Sequence, residues 1–361
     1  IAETASRLGI ETFPTYDTGR KVFLYRGRRS TYRGVTPVSN PIGMADLGQA
    51  LTRLQRMART VSPEKPWTAV KAALWDSQTL GSWMRRNTLT AYARGGLTTW
   101  AHAVFASDPG ELSLLHALAH AAAHRGVFAL AATTGGAQQN RIVGGSQRIS
   151  EVLADGLGDR VVLNSPAEAI QQDDDGVVVR SSAAEVTAGR VVVAMSPAMS
   201  ARLSYQPPLA AARDELTQRM AMGTIAKIIA VYPTPFWRSQ GLSGQGTGDQ
   251  GLLTFVFDNS PPEGSPGVLV GFAAGSNART FAQMTDSERR TASLDCFVSW
   301  FGAAAARPVE YHEKLWNEDE FARGGYFGCM APGAWTTVGD ALTAPAGRIH
   351  WAGSESAGWC M

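Results

Sequence analysis

The sequence predicts an α/β fold of two domains threaded through one another, and three observations carry that expectation. A chain of 361 residues with 44% apolar content can bury a core large enough for two domains. Helical periodicity fills residues 44–107, whereas short β-branched runs dominate from residue 161 onward. The character changes at Gly144-Gly145 and a second group of strands starts at Lys227. That alternation is expected of a chain that visits one domain, leaves it and returns.

In chain order, residues 1–8 read as the tail of a helix ended by Gly9. Ile1 enters in mid-helix, so the chain is expected to be a fragment truncated at both ends. Residues 21–25 and 29–33 flank Gly27 as a hairpin. Pro63 and Pro66 punctuate the helical stretch that follows, since each lacks an amide hydrogen. Asp108-Pro-Gly-Glu is expected to open a helix running towards Arg125. Beyond the glycine pair, a helix over 146–157 leads to β runs at 161–163, 167–170, 177–179 and 191–193. Asp173-Asp-Asp-Gly176 reads as a hairpin turn coated by acids rather than as a metal site. Strands at 227–232, 252–257 and 268–272 form a second sheet. Thr285-Asp-Ser-Glu288 is a capping box that starts a helix running to Gly302.

With 33 basic and 31 acidic residues, the net charge of +2 makes no electrostatic case for nucleic acid or a membrane surface. The most apolar helical stretch, 112–123, is interrupted by His116 and His120 and is too short to span a bilayer. No apolar secretory segment opens the sequence. Cys296, Cys329 and Cys360 lie far apart without C-x-x-C spacing, as expected of free thiols in the cytoplasm.

Several constellations could carry chemistry, and each has a plainer reading. Gly246-Thr-Gly248-Asp-Gln-Gly251 matches G-x-G-x-x-G, but a dinucleotide grip needs a strand before the glycines and a helix after them. Here a strand follows, so a flexible loop is expected instead. His116, His120 and His124 recur every four residues and share one helix face. Without the glutamate of H-E-x-x-H, a polar stripe on an alanine-rich helix is the better account, and no metal is expected. Lys227 lies in an apolar β run, where burying an unpaired ammonium is costly. It is either an edge-strand lysine facing solvent or one set against a cofactor or a bound water. Trp316 and Tyr326 flank Gly324-Gly325, which would let a backbone approach a flat ligand beside an aromatic ring, or simply pack a turn. Ile349-His-Trp-Ala-Gly-Ser-Glu-Ser is a buried strand delivering a small glycine-containing turn.

Taken in order and spacing, these segments resemble the flavin-containing monoamine oxidase family over nearly the whole chain. The resemblance rests on Trp67 after Pro66, Asp108-Pro-Gly-Glu-Leu-Ser-Leu-Leu, residues 138–145, Asp159-Arg-Val-Val-Leu, Pro207-Pro-Leu and residues 223–227. Pro235-Phe-Trp-Arg, Thr285-x-x-Glu-Arg, Trp316, Gly324-Gly-Tyr and Trp351-Ala-Gly-Ser-Glu-Ser complete it. It implies an α/β fold in which a Rossmann-like FAD-binding domain (residues 1–10, 143–222 and 319–361) interleaves with a mixed-sheet and helical substrate domain (residues 11–142 and 223–318). By position, Lys227 matches a lysine holding a water near the reactive flavin nitrogen. Tyr326 matches one of two aromatics facing the flavin, and the second belongs in a segment past Met361. Trp316 matches a tryptophan packed near the flavin, and Ala167 a backbone contact to the adenine. Gly353 and Ser354 match the turn at the pyrophosphate, and Glu355 follows them as a cofactor-binding position.

Trp100, Ala103, Val104, Leu130, Gln138, Phe255 and Phe272 fall where that family lines its substrate cavity. None is acidic, whereas the distal ammonium of a diamine would want a carboxylate. The resemblance therefore implies oxidative deamination of an apolar or aromatic primary amine with O2, giving aldehyde, ammonia and H2O2. Gly325 stands where the animal enzymes carry the cysteine bonded to flavin, so neither Gly324 nor Gly325 can form that bond and FAD is expected to be non-covalent. A soluble cytoplasmic enzyme, with a homodimer as one permitted assembly, is expected. The alternatives are a related oxidase or desaturase acting on an amino acid or an isoprenoid, or a flavin-free remnant. An amino acid would need an arginine aimed at its carboxylate, and none of the seven positions supplies one.

Overall fold

The computed structural model describes residues 1–34, 40–133, 135–136, 138–249 and 251–357. Its organising element is a seven-stranded sheet in the order Glu310–Leu315, Ile225–Tyr232, Gly267–Ala274, Phe255–Asp258, Leu242–Gly248, Arg20–Tyr25, Arg28–Tyr32. Neighbouring strands are antiparallel except for Leu242–Gly248 and Arg20–Tyr25, which run parallel. The expected hairpin at 20–32 is present, with Tyr25 opposite Arg28 across a turn where Arg26 and Gly27 take φ of 49° and 73°.

One face of this sheet is covered by the Asp286–Phe301 helix. Thr285 caps it as expected: Glu288 N–H donates to the Thr285 hydroxyl while Thr285 N–H donates to the Glu288 carboxylate. Trp300 and Phe297 of the helix pack with Val22, Ala226, Ile228, Val256, Leu269 and Ala273. This packing corrects the reading of Gly246 and Gly248 as loop glycines. Both lie in the Leu242–Gly248 strand, between two partners. A Cβ at Gly246 would come within 3.3 Å of the Trp300 ring, and one at Gly271 within 3.1 Å of Phe297. The glycines are the imprint of two aromatic rings on the sheet, and no helix follows them to face a phosphate.

A second core joins the helices Pro41–Ala58, Leu80–Asn87, Ala91–Phe105 and Leu114–Ala123 around Leu54, Leu97, Phe105, Leu115 and Leu118. The last of these helices begins at Leu114, with the Ser113 hydroxyl accepting from His116 N–H, and not at the Asp108 turn. Asp108 instead ties elements together. It meets His102 at 2.7 Å and Arg279 at 2.7 Å, fastening the Ala91–Phe105 helix to the Ser276–Ala282 helix. Burial alone would raise the Asp108 carboxyl, but hydrogen bonds from His102 and Ser276 and the His102 charge outweigh it and hold the group at about 2.

A depressed carboxyl contributes stability above its ordinary value and loses it as pH falls through the folded value. Asp108→Asn should therefore unfold at lower urea than wild type at pH 7. The gap should close as pH falls from 3.8 towards about 2. A gap undiminished at pH 2 would assign the contribution to packing rather than to charge.

A four-stranded sheet (Glu185–Ala188, Val177–Ser181, Ala167–Gln172, Ser204–Gln206) and the parallel pair Val191–Val193 and Ile349–Trp351 share a small core of Ile170, Val177, Val193, Leu203 and Ile349. The Asp173 carboxylate accepts from the Asp175 and Gly176 amides, as a hairpin turn requires. Residues 161–163 form no strand, and the strand expected from 252 begins at Phe255. The second run still meets its neighbour just before Phe255, where Thr254 N–H donates to Phe272 O at 2.7 Å.

Candidate active site

The face of the large sheet opposite the Trp300 helix forms one wall of a cavity of about 1780 Å³. Lys227 pairs with Phe272, Phe272 with Phe255, Phe255 with Thr247, and Thr247 with Phe23. Residues paired in this way project from one face, so the five side chains form a continuous row, and all five line the cavity. Lys227 stands on a central strand between Gly267–Ala274 and Glu310–Leu315, which rules out the edge-strand alternative.

Helices build the other walls. Trp100, Ala103 and Val104 come from the Ala91–Phe105 helix, and Leu130 from Val127–Ala131. Gln138 and Tyr326 complete the set, so all eight positions expected to meet substrate line one space. Tyr326 is 43% exposed. It is carried by a backbone clasp in which Gly325 N–H donates to Gly223 O at 3.0 Å. Asn317 donates to the same carbonyl and accepts from Ile225 N–H at 2.9 Å.

The positions expected to hold a cofactor divide. Ser354 and Glu355 line the cavity, with Glu355 fixed by the Gly328 amide at 2.7 Å. Gly353, Gly324 and Gly325 lie just outside the lining, each next in sequence to a residue of it or to one another. Ala167 opens a strand of the four-stranded sheet and Trp316 is 37% exposed beneath the Lys314 ammonium, neither of them on the cavity wall. Cys296 and Cys329 are free and buried, while Cys360 lies outside the described residues.

Electrostatics single out a pair of cations. Burial lowers the Lys227 ammonium, and nearby Arg141 lowers it further. Among the described residues Lys227 meets no carboxylate. Arg141 also lines the cavity, lowered by burial and supported by Asp258, whose carbonyl accepts from it at 3.4 Å. Sequence reasoning missed Arg141 as a site residue, and the correction bears on substrate: the cavity does contain an arginine. It also contains acids beyond the seven positions, among them Asp17, held by Lys21 at 3.3 Å and Gln245 at 2.9 Å. The histidine stripe likewise has a different setting from the one expected. His116, His120 and His124 face the cavity, and His116 is only 6% exposed. Among the described residues no group of His, Cys, Asp or Glu is arranged to hold a metal ion. No helix among them is long and apolar enough to cross a membrane.

The space suits a large flat cofactor together with a substrate. Its volume exceeds the roughly 300–1,000 Å³ of a pocket for one small molecule. Gly144 and Gly145, with φ of 79° and 88°, line it, and a Cβ on either would meet nothing within 4 Å. Bare backbone facing open space is what close approach of a ligand needs.

Residues 1–360 match the family model for flavin containing amine oxidoreductases. It is 37% identical over 357 residues to AofH of Mycobacterium tuberculosis, a protein whose name assigns it provisionally to the flavin-containing monoamine oxidases; the match covers 99% of this chain and 78% of that one. It is 33% identical to an L-amino acid dehydrogenase of Synechocystis, covering 96% of this chain and 75% of the relative. The solved cyclohexylamine oxidase from Brevibacterium oxydans superposes with a TM-score of 0.95 at 31% identity, covering 99% of this chain and 79% of that one. The chain belongs to the flavin-containing amine oxidoreductases, enzymes that oxidise amines with FAD.

Proposed function

We propose that this flavin-containing amine oxidoreductase acts on an apolar or aromatic primary monoamine, forming aldehyde and ammonia while O2 becomes H2O2. The observation that carries the reading is the convergence of Trp100, Leu130, Phe255, Phe272 and Tyr326 on the space that Lys227 faces. When bound, FAD would take a hydride from the amine's α-carbon and pass the electrons to O2. The chain's own residues do the rest. Phe255 and Phe272, stacked at 5.0 Å and 28°, form a dry wall that favours the unprotonated amine. Tyr326 aims the reacting carbon, and Gln138 and Trp100 close the space around it. The Lys227 nitrogen holds a water, and its lowered affinity for a proton lets it exchange one with that water. Ser354 and the adjacent Gly353 would hold FAD at its pyrophosphate, with Glu355 beside them in the cofactor site and Gly324 and Gly325 bringing backbone to its ring. Ala167 and Trp316 would serve parts of the cofactor beyond the cavity.

The same proposal divides the chain into cofactor and substrate domains at the boundaries expected from sequence. It also includes a cytoplasmic enzyme and a homodimer.

Arg141 favours one second reading, an amino acid whose carboxylate pairs with its guanidinium. Anaerobic titration distinguishes the two: bleaching of the flavin by benzylamine but not by phenylalanine supports the monoamine, and the reverse overturns it. A non-covalent cofactor makes a separate prediction. Precipitation in dilute acid should leave all the yellow colour in the supernatant, and colour retained by the pellet would contradict it.

A further inference from the structure

Tyr326 stands where two sheets meet, and among the described residues it makes no backbone-to-backbone hydrogen bond of its own. On one side, the two-stranded ladder of Met220–Met222 with Gly328–Met330 ends at the pairing of Met222 with Gly328. On the other, the seven-stranded sheet begins with Ile225–Tyr232, the strand that carries Lys227. Gly223 lies at the junction: its carbonyl accepts from Gly325 N–H at 3.0 Å and its amide donates to Phe327 O at 3.2 Å. One glycine thus holds the residues on either side of Tyr326, and the tyrosine bulges between them.

Asn317 ties this junction to the large sheet. It lies two residues beyond the end of the Glu310–Leu315 strand, which pairs with Ile225–Tyr232 through Leu315 and Ala226. Its side-chain amide has one permitted orientation, because a peptide N–H only donates and a carbonyl only accepts. Oδ1 therefore accepts from Ile225 N–H at 2.9 Å, while Nδ2 donates to Gly223 O at 3.3 Å and to Arg323 O at 3.4 Å. The Asp319 carboxylate, paired with Lys314 at 2.6 Å, accepts from the Phe321 and Ala322 amides and turns the chain back so that Arg323 O meets Asn317. Gly324 makes the approach possible. Its φ is 145°, and a Cβ there would stand 2.5 Å from Gly223 O and 3.1 Å from Asn317 Nδ2.

We infer that Asn317 is a positioning residue for amine oxidation: it passes the rigidity of the Lys227 strand to the loop that carries Tyr326, and so fixes where that ring stands in the cavity. The inference rests on the reading of the cavity as an amine-oxidising site and adds to it a residue that does not line the cavity. The three hydrogen bonds divide the task. The Ile225–Tyr232 strand is held by partners on both sides, so the bond to Oδ1 anchors the amide and the two bonds from Nδ2 hold the loop. Aspartate in its place keeps the anchor and loses both loop bonds, since a carboxylate cannot donate. Alanine loses all three.

The test compares Asn317→Asp and Asn317→Ala in the FAD-bound holoenzyme, alone and combined with Tyr326→Ala. Anaerobic stopped flow with benzylamine measures flavin reduction, and mixing of the reduced enzyme with O2 measures reoxidation. Both substitutions should slow reduction about tenfold, the scale of one lost hydrogen bond to a placed group, and leave reoxidation unchanged. In the Tyr326→Ala background neither should slow reduction further, because the residue through which Asn317 acts is gone. Hydrogen exchange should rise over residues 323–327 in both variants, while residues 225–232 stay protected in Asn317→Asp. Reduction at the wild-type rate in Asn317→Asp, or a loss that persists beside Tyr326→Ala, would overturn the inference and leave the amine-oxidase reading standing. Slowing of both half-reactions with exchange raised throughout the chain would do the same, since it would mark a general loss of packing. Failure of benzylamine to reduce the wild-type flavin would overturn the two together.

Discussion

Lys227→Met should slow oxygen-dependent turnover on the order of a hundredfold, the scale of losing a positioned proton-transfer group, while FAD remains bound. The lysine sits on a central strand, faces the cavity and meets no carboxylate among the described residues. Its ammonium is lowered first by burial and then by Arg141, so it gives up a proton more readily than a surface lysine. Methionine has similar length and removes an unpaired, half-buried charge, so the fold should be kept or slightly stabilised. The amine-dependent half of the reaction should change little, because no part of it uses the Lys227 nitrogen. Stopped-flow mixing of the reduced enzyme with O2 separates the halves. Reoxidation at the wild-type rate would remove Lys227 from the oxygen reaction.

Gly223→Ala should have the largest effect on stability, costing about 3 kcal/mol or more as an overpacked site that cannot relax. A Cβ there would stand 2.2 Å from Gly325 O and 2.5 Å from Phe105 O, both backbone atoms, and 3.0 Å from Ala106 Cβ. Neither carbonyl can swing aside as a side chain would. Gly325 is also the residue whose amide donates to Gly223 O, so the intruding methyl must open the clasp that carries Tyr326. Thermal unfolding should begin about 6 °C or more below wild type, at roughly 2 °C per kcal/mol for a chain of this size. Amine turnover should fall even at temperatures where the variant is folded. An unchanged melting temperature would mean that the approach of these two backbones is looser than the geometry described here.

Much of the fold was legible because its signals are local. The hairpin at 20–32 shows in its alternation around Gly27, and the Thr285 capping box in four consecutive residues. What failed depends on partners distant in sequence. The Leu242–Gly248 strand reads as a loop because its glycines answer to Trp300, more than 50 positions away. Arg141 is visible in sequence, but its approach to Lys227 follows from the pairing of Asn140–Ile142 with Thr12–Pro14 and from the Asp258 carbonyl. The candidate site divides in the same way. Lys227, Tyr326 and the seven wall positions were found together through the order of their motifs, and they share the cavity. Ala167 and Trp316 came from the same resemblance and lie apart from it, since position along a chain does not fix which surface a residue meets.

The row Lys227, Phe272, Phe255, Thr247, Phe23 has a bearing on how such an enzyme can diverge. Along each strand, alternate residues serve either this row or the packing around Trp300, so the two sets are interleaved but chemically separate. Exchanging one residue of the row redraws the cavity without touching the core behind it. Inserting or deleting one residue does the opposite, turning lysine and phenylalanines towards Trp300 and core residues towards substrate. Lineages descending from this chain can therefore explore new amines by point substitution in these strands, while length changes are confined to the turns between them.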